Sequence, residues 1–189
     1  MKKALFIILI GLSFTSCNFD QKKKNTEKIT PLKLKVFAVN YPLFYFAERI
    51  GGENVELIYP IPANADPAYW TPSSALEEIQ KADLILDNGA DYAKWMEKVS
   101  LPPSKVINTT ESFTDQYIKI TEGTTHSHGG SGEHVHYGYA FTTWLDFEIA
   151  NGQAMAVLDA FIKKQPENME IFKANYKILS SDLLALASE

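Results

Sequence analysis

The chain has one cysteine, four histidines and no excess of basic residues. A single cysteine excludes an internal disulfide framework and any Cys₄ or Cys₂His₂ zinc site. Lysine and arginine number 18 against 23 aspartates and glutamates, a formal net charge of −5. That balance is not the footprint of a nucleic-acid binder, so no nucleic-acid partner is expected. Motifs for catalysis are missing too. There is no Ser/His/Asp order with a nucleophile elbow, no phosphate-cradling glycine loop and no His-Glu-x-x-His. The expectation is therefore a protein that binds without bond chemistry. What is present is enough apolar material, 46% of 189 residues, to build one domain with a tail.

The single long apolar run, Ala4 to Phe14, follows Lys2-Lys3 and is too short to span a bilayer comfortably. It ends in Thr15-Ser16-Cys17. Residues 1–17 resemble a bacterial lipoprotein signal, which implies that Cys17 becomes the lipidated first residue. The expected address is extracytoplasmic, on the periplasmic or cell-surface side, with the membrane engaged through a lipid anchor. Residues 18–33 carry Lys22-Lys23-Lys24 and no apolar period, and read as a flexible tether.

From residue 34 to 150, strand and helix patterns alternate. Short apolar runs at Leu34–Val39, Val55–Pro60, Ala82–Leu86 and Lys105–Asn108 read as strands. Helices are expected at Pro42–Ile50, stopped by Gly51-Gly52, from Ser73 or Ser74 through Leu76 and Ile79, and at Asp91–Val99. This alternation predicts an α/β fold with a parallel four-stranded sheet flanked by helices. Ligands of such sheets sit beyond the carboxyl ends of the strands. The 64–72 loop and the Asp87-Asn88-Gly89 turn fall there. Residues 121–139, rich in Gly, Ser, Thr and His, are expected as a surface loop. Residues 151–189 are expected as a long linking helix, restarted or kinked at Pro166. Its apolar stripe runs Met169, Phe172, Tyr176, Leu179, Leu183, Leu186 and reads as core packing.

All four histidines fall in His126-Ser-His128-Gly-Gly-Ser-Gly-Glu133-His134-Val-His136. In extended chain, alternate residues share a face, so each His-x-His pair can offer two imidazoles to one ion. Gly129, Gly130 and Gly132 let the chain turn back between the pairs. Four nitrogens could then surround a tetrahedral zinc at about 2.0–2.1 Å, with Glu133 as an oxygen ligand or hydrogen-bond acceptor. Imidazole also suits Cu²⁺ and Ni²⁺, so Zn²⁺ or another divalent transition metal is the expected cargo. The alternative is a solvated polar loop that binds nothing.

Two further segments carry a family resemblance. One is Tyr59-Pro60-Ile61-Pro62-Ala63-Asn64-Ala65-Asp66-Pro67-Ala68-Tyr69-Trp70-Thr71-Pro72, followed by Ala82-Asp83-Leu84-Ile85-Leu86-Asp87-Asn88-Gly89 and Trp95. The other is the histidine-rich segment followed by Thr142-Thr143-Trp144-Leu145-Asp146. Together these resemble the solute-binding lipoproteins of bacterial zinc and manganese ABC importers. The resemblance spans roughly residues 34–187. It implies two α/β lobes joined by a long helix with the metal between them, of which this chain would carry the amino-terminal lobe and the helix. It also implies an ABC permease, or a chain supplying the second lobe, as partner. The family's ligand histidines are replaced, by Ala68 in the first segment and by Thr142 in the second. Trp70 stands where the family has tyrosine, and Phe147 replaces a proline. Asp66, Tyr69, Trp70, Thr142 and Asp146 are the remaining candidate cleft contacts. The resemblance implies capture and delivery of a metal ion, zinc first among the candidates. The rival readings are a metal-sequestering or chaperone-like surface lipoprotein and a truncated fragment without function.

Overall fold

The computed structural model describes residues 32–127 and 133–188, with backbone and register alone for 121–127 and 133–137. Cys17 with its leader, residues 18–31 of the tether, and His128 lie outside the described residues. Four strands, β1 (Leu34–Ala38), β2 (Val55–Ile58), β3 (Leu84–Asp87) and β4 (Val106–Asn108), form one parallel sheet in the order β2-β1-β3-β4. Central strands of a parallel sheet are covered on both faces and so read as continuous apolar runs. Accordingly Val36, Phe37 and Ala38 of β1, and Leu84, Ile85 and Leu86 of β3, are all buried.

Local signals explain the first helix, α1 (Tyr41–Gly51). The Asn40 side-chain oxygen accepts the Leu43 N–H at 3.0 Å, and Pro42 sits in the first turn, where its missing N–H costs nothing. Gly52 ends the helix at φ +52°, a conformation that favours glycine. The next helix, α2 (Leu76–Lys81), starts after Ala75 without a side-chain cap, so neither Ser73 nor Ser74 takes the expected role. The helix expected at Asp91–Val99 is only a 3₁₀ turn, Lys94–Lys98. Ala90 and Asp91 hold positive φ, and helical backbone cannot begin through them. What the turn achieves is burial of Trp95, whose ring meets Phe37 at 6.1 Å, edge to face.

Of the expected loop 121–139, the described residues 121–127 and 133–139 are strand. They form a two-stranded antiparallel ribbon, β5 (Lys119–Ser127) and β6 (Glu133–Tyr139), with an irregularity between Ile120 and Thr124. Segment 151–189 is likewise two helices, α3 (Phe147–Lys164) and α4 (Met169–Ala187), separated by a turn at Pro166–Asn168. Proline restarts the chain here rather than kinking one helix. Phe161 meets Phe172 at 5.5 Å with the rings tilted, and the Tyr176 hydroxyl donates to Asn151 Oδ1 at 3.1 Å, so α4 runs back along α3. On α1, the Ile50 carbonyl accepts from Asn175, and Arg49, the sole arginine, pairs with Asp182 at 2.8 Å. Phe172, Leu179 and Leu183 of the expected stripe are buried and Met169 and Tyr176 half-buried, but Leu186 at its end is 47% exposed, nearly as exposed as Ile171 off the stripe. Among the described residues no helix is long and apolar enough to cross a membrane.

Candidate ligand-binding site

The carboxyl ends of β1, β3 and β4 deliver polar side chains to one buried point. Asn88, fully buried, is its centre. Its Oδ1 accepts from Asn40 Nδ2 at 3.0 Å, Gln153 Nε2 at 3.2 Å and Thr143 Oγ1 at 3.4 Å. Its Nδ2 donates to the carbonyls of Phe141 at 2.9 Å and Gly89 at 3.2 Å. Gln153 on α3 also donates to Thr109 Oγ1 at 3.1 Å, while its own Oε1 is buried without a partner among the described residues. The network therefore ties the sheet to α3 and to the segment leaving the ribbon. Gly89 is obligatory, at φ +71°, because a Cβ there would strike Thr110, Asn108 and the Tyr117 hydroxyl. Asp87 beside it is pushed above the usual carboxylate range, mainly by burial. The N–H groups of Gly89 and Asn88 oppose that rise, and the charge of Asp91 adds to it.

The 64–72 loop covers the same end of the sheet. Asp66 organises it: its Oδ1 accepts the Ala68 N–H at 3.0 Å, and its carbonyl accepts from Tyr69 and Trp70. Behind the loop lies a cavity of about 210 Å³ walled by Tyr69, Trp70, Tyr92, Trp95, Tyr139 and Phe141, with Ala68 buried against it. The rings meet edge-on: Trp70 with Trp95 at 6.3 Å, Tyr92 with Phe141 at 5.3 Å, Tyr69 with Phe141 at 6.5 Å. Asp91, Lys94 and Lys98 stand at the same cavity. Burial above all, then the negative charge of Asp66, raises the pKa of Tyr92 and of Tyr69. Both phenols stay neutral through the physiological range. Of the candidate cleft contacts, Tyr69 and Trp70 line the cavity. Thr142 and Asp146 do not: Thr142 precedes a 3₁₀ turn, and Asp146 caps α3, accepting from Glu148 and Ile149 N–H at 2.9 and 3.2 Å.

In the ribbon, His126 and His134 are direct register partners, Thr124 opposes His136, and Ser127 opposes Glu133. Thus the antiparallel register brings the backbones of the two His-x-His segments together. Among the described residues no group of three or more His, Cys, Asp or Glu could hold a metal ion. The sequence reading missed Asn88, Gln153, Tyr92 and Phe141. Asn88-Gly89 signalled only a turn, and nothing local marks Gln153 as its partner 65 residues away.

A parallel sheet whose carboxyl ends carry a side-chain-lined cavity defines a ligand-binding α/β lobe. The chain belongs to the family described as zinc-uptake complex component A, periplasmic, whose model matches residues 36–189. It is 25% identical to the manganese ABC transporter substrate-binding lipoprotein PsaA of Streptococcus pneumoniae, over 98% of this chain and 58% of that protein. It is 25% identical to the high-affinity zinc uptake system protein ZnuA of Bacillus subtilis, over 92% of this chain and 55% of the relative. The chain thus spans little more than half the length of these relatives. In fold it is similar to the Zn(II)-bound ZnuA-like domain of Streptococcus pneumoniae AdcA, with a TM-score of 0.65 and 22% identity over 83% of this chain and 54% of that one.

Proposed function

We propose that the chain is a metal-ion-binding, lipid-anchored solute-binding protein of an ABC import system, which captures a divalent ion outside the cytoplasm and hands it to a permease. The observation that carries this reading is the family match over residues 36–189. Zinc is the cargo of first choice on the description of the matching family, since imidazoles alone suit Cu²⁺ and Ni²⁺ as well as Zn²⁺ and simple affinity favours copper. His126, His128, His134 and His136 are the proposed ligands, with Glu133 adding an oxygen. The register pairing of His126 with His134 supports the assignment, since opposed residues of an antiparallel pair lie close enough to share an ion. Capture and release need no bond chemistry. Ligation requires neutral imidazole, so protons compete directly with the metal.

Zinc titration calorimetry on the full chain in detergent tests the site. Wild type should bind at about pH 7.5 and lose most affinity at about pH 5.5, because an ordinary histidine titrates near pH ~6.5. The double variant His126→Ala/His128→Ala should lose most binding even at the higher pH, since at most two nitrogens remain for a four-coordinate ion. Equal binding by wild type and double variant would place the metal elsewhere. A second reading, a metal-sequestering surface lipoprotein that docks with no transporter, is favoured by Ala68 and Thr142 at the positions of the family's ligand histidines.

A further inference from the structure

The aromatic cavity behind the 64–72 loop has no role in the proposed metal site, and its chemistry is wrong for a bare cation. Of the described groups that line it only Asp91 is anionic, and none of them is a histidine, cysteine or glutamate. A divalent ion held there would face one carboxylate and a wall of π-faces, and both transition metals and hard cations need several N, O or S donors. The same walls suit an organic ring. Trp95 and Tyr92 are buried in the core and fixed by edge-on neighbours, so the wall is preformed. Trp70 closes it from the loop at right angles to Trp95. Aromatic rings prefer offset-stacked or edge-on contacts, and an entering ring can make both here. At about 210 Å³ the cavity is smaller than the ~300–1,000 Å³ typical of sites for drug-sized ligands, so it fits one or two fused rings.

Charge sets the other half of the ligand. Lys94 and Lys98 stand at the cavity on one 3₁₀ turn, and neither has an ion-pair partner among the described residues. Two ammonium groups and one carboxylate line the cavity, and the Asp66 carboxylate acts on its Tyr69 and Tyr92 side, so the positive charge is confined to the Lys94–Lys98 edge. We propose that this cavity binds a planar aromatic carboxylate of one or two rings, its ring against the Trp70–Trp95 pair and Tyr92 and its anionic group toward Lys94 and Lys98. Of the described ribbon residues only Tyr139 lines the site, so it can be tested apart from the proposed histidine ligands.

Isothermal titration of the full chain in detergent with 2-naphthoate tests this, against 2-naphthamide, which lacks the charge, and cyclohexanecarboxylate, which lacks the π-face. Naphthoate should bind about tenfold more tightly than either control, the worth of one good charge-assisted contact. Lys94→Gln/Lys98→Gln, at exposed positions, should bring naphthoate down to the naphthamide level and leave naphthamide unchanged. Trp70→Ala should weaken both aromatic probes, and Trp70→Phe should restore most of the affinity. His126→Ala/His128→Ala should leave naphthoate binding intact. No naphthoate binding by folded wild-type protein, a preference for the neutral amide, or full affinity in the double lysine variant would overturn the proposal.

Discussion

Two adjacent residues at the end of β3 face the same burial and resolve it differently. Asn88 is neutral and fully buried, and every polar atom of its side chain is used. Asn88→Ala would strand the Asn40 amide, an orphan costing about 1–3 kcal/mol, and take one partner each from the Gln153 amide, the Thr143 hydroxyl and the Phe141 carbonyl. A loss of about 2 kcal/mol in urea unfolding is expected. Asp87 is ionisable, and burial raises its pKa. The folded state therefore holds the proton more tightly than the unfolded state. Its contribution to stability is fully present below the ordinary aspartate pKa of about 3.9 and is lost as pH rises through the higher folded value. Asp87→Asn keeps an acceptor for the Asn88 and Gly89 N–H groups and removes the charge. The variant should be more stable than wild type at neutral pH, with the gap closing as the medium is acidified. Urea midpoints measured in parallel across that range check it, and a gap that widens on acidification would refute it.

At the scale of the element, the sequence was most legible where a local signal and burial agree. The α1 helix could be read because Pro42 and Gly51-Gly52 bracket an apolar period, and β1 and β3 because strands covered on both faces are apolar throughout. The Lys94–Lys98 turn was illegible because the left-handed Ala90 and Asp91 carry no glycine to announce them, and Trp95 is placed by its partner Phe37 rather than by period. The ribbon was hidden by composition. Its glycines, serines and histidines look like loop, yet Val135, Tyr137 and Tyr139 alternate as a strand should, and an antiparallel register needs only that. For the candidate site the same division holds. The loop that walls the cavity could be named from Asp66-Pro67 and its aromatics, but the knot around Asn88 joins residues from five segments. No window of sequence contains it.

For the molecule as a whole, the leader and the lobe make separate demands. One acyl chain holds a protein at a membrane only marginally, so a lipidated Cys17 needs two or more chains for stable anchoring. Cys17→Ala should release the protein from the membrane fraction or leave an uncleaved precursor, read by fractionation and mass. Unchanged processing with membrane retention would count against the anchor. Because 18–33 is read as a tether, neither outcome should alter the unfolding midpoint of the lobe.

The strand order has a consequence in time. β1 is the first strand to be synthesised, yet both its neighbours come later, β2 next and β3 only at Leu84–Asp87. Between Leu34 and Leu84 the ribosome adds 50 residues, which takes roughly 3–10 s at about 5–20 residues per second. Throughout that interval the strand bound for the middle of the sheet has at least one edge unpaired. An uncovered apolar edge is a template for association with other chains. Until Leu84–Asp87 has paired with it, that edge of β1 must be kept from other chains, whether the lobe folds during synthesis or after export.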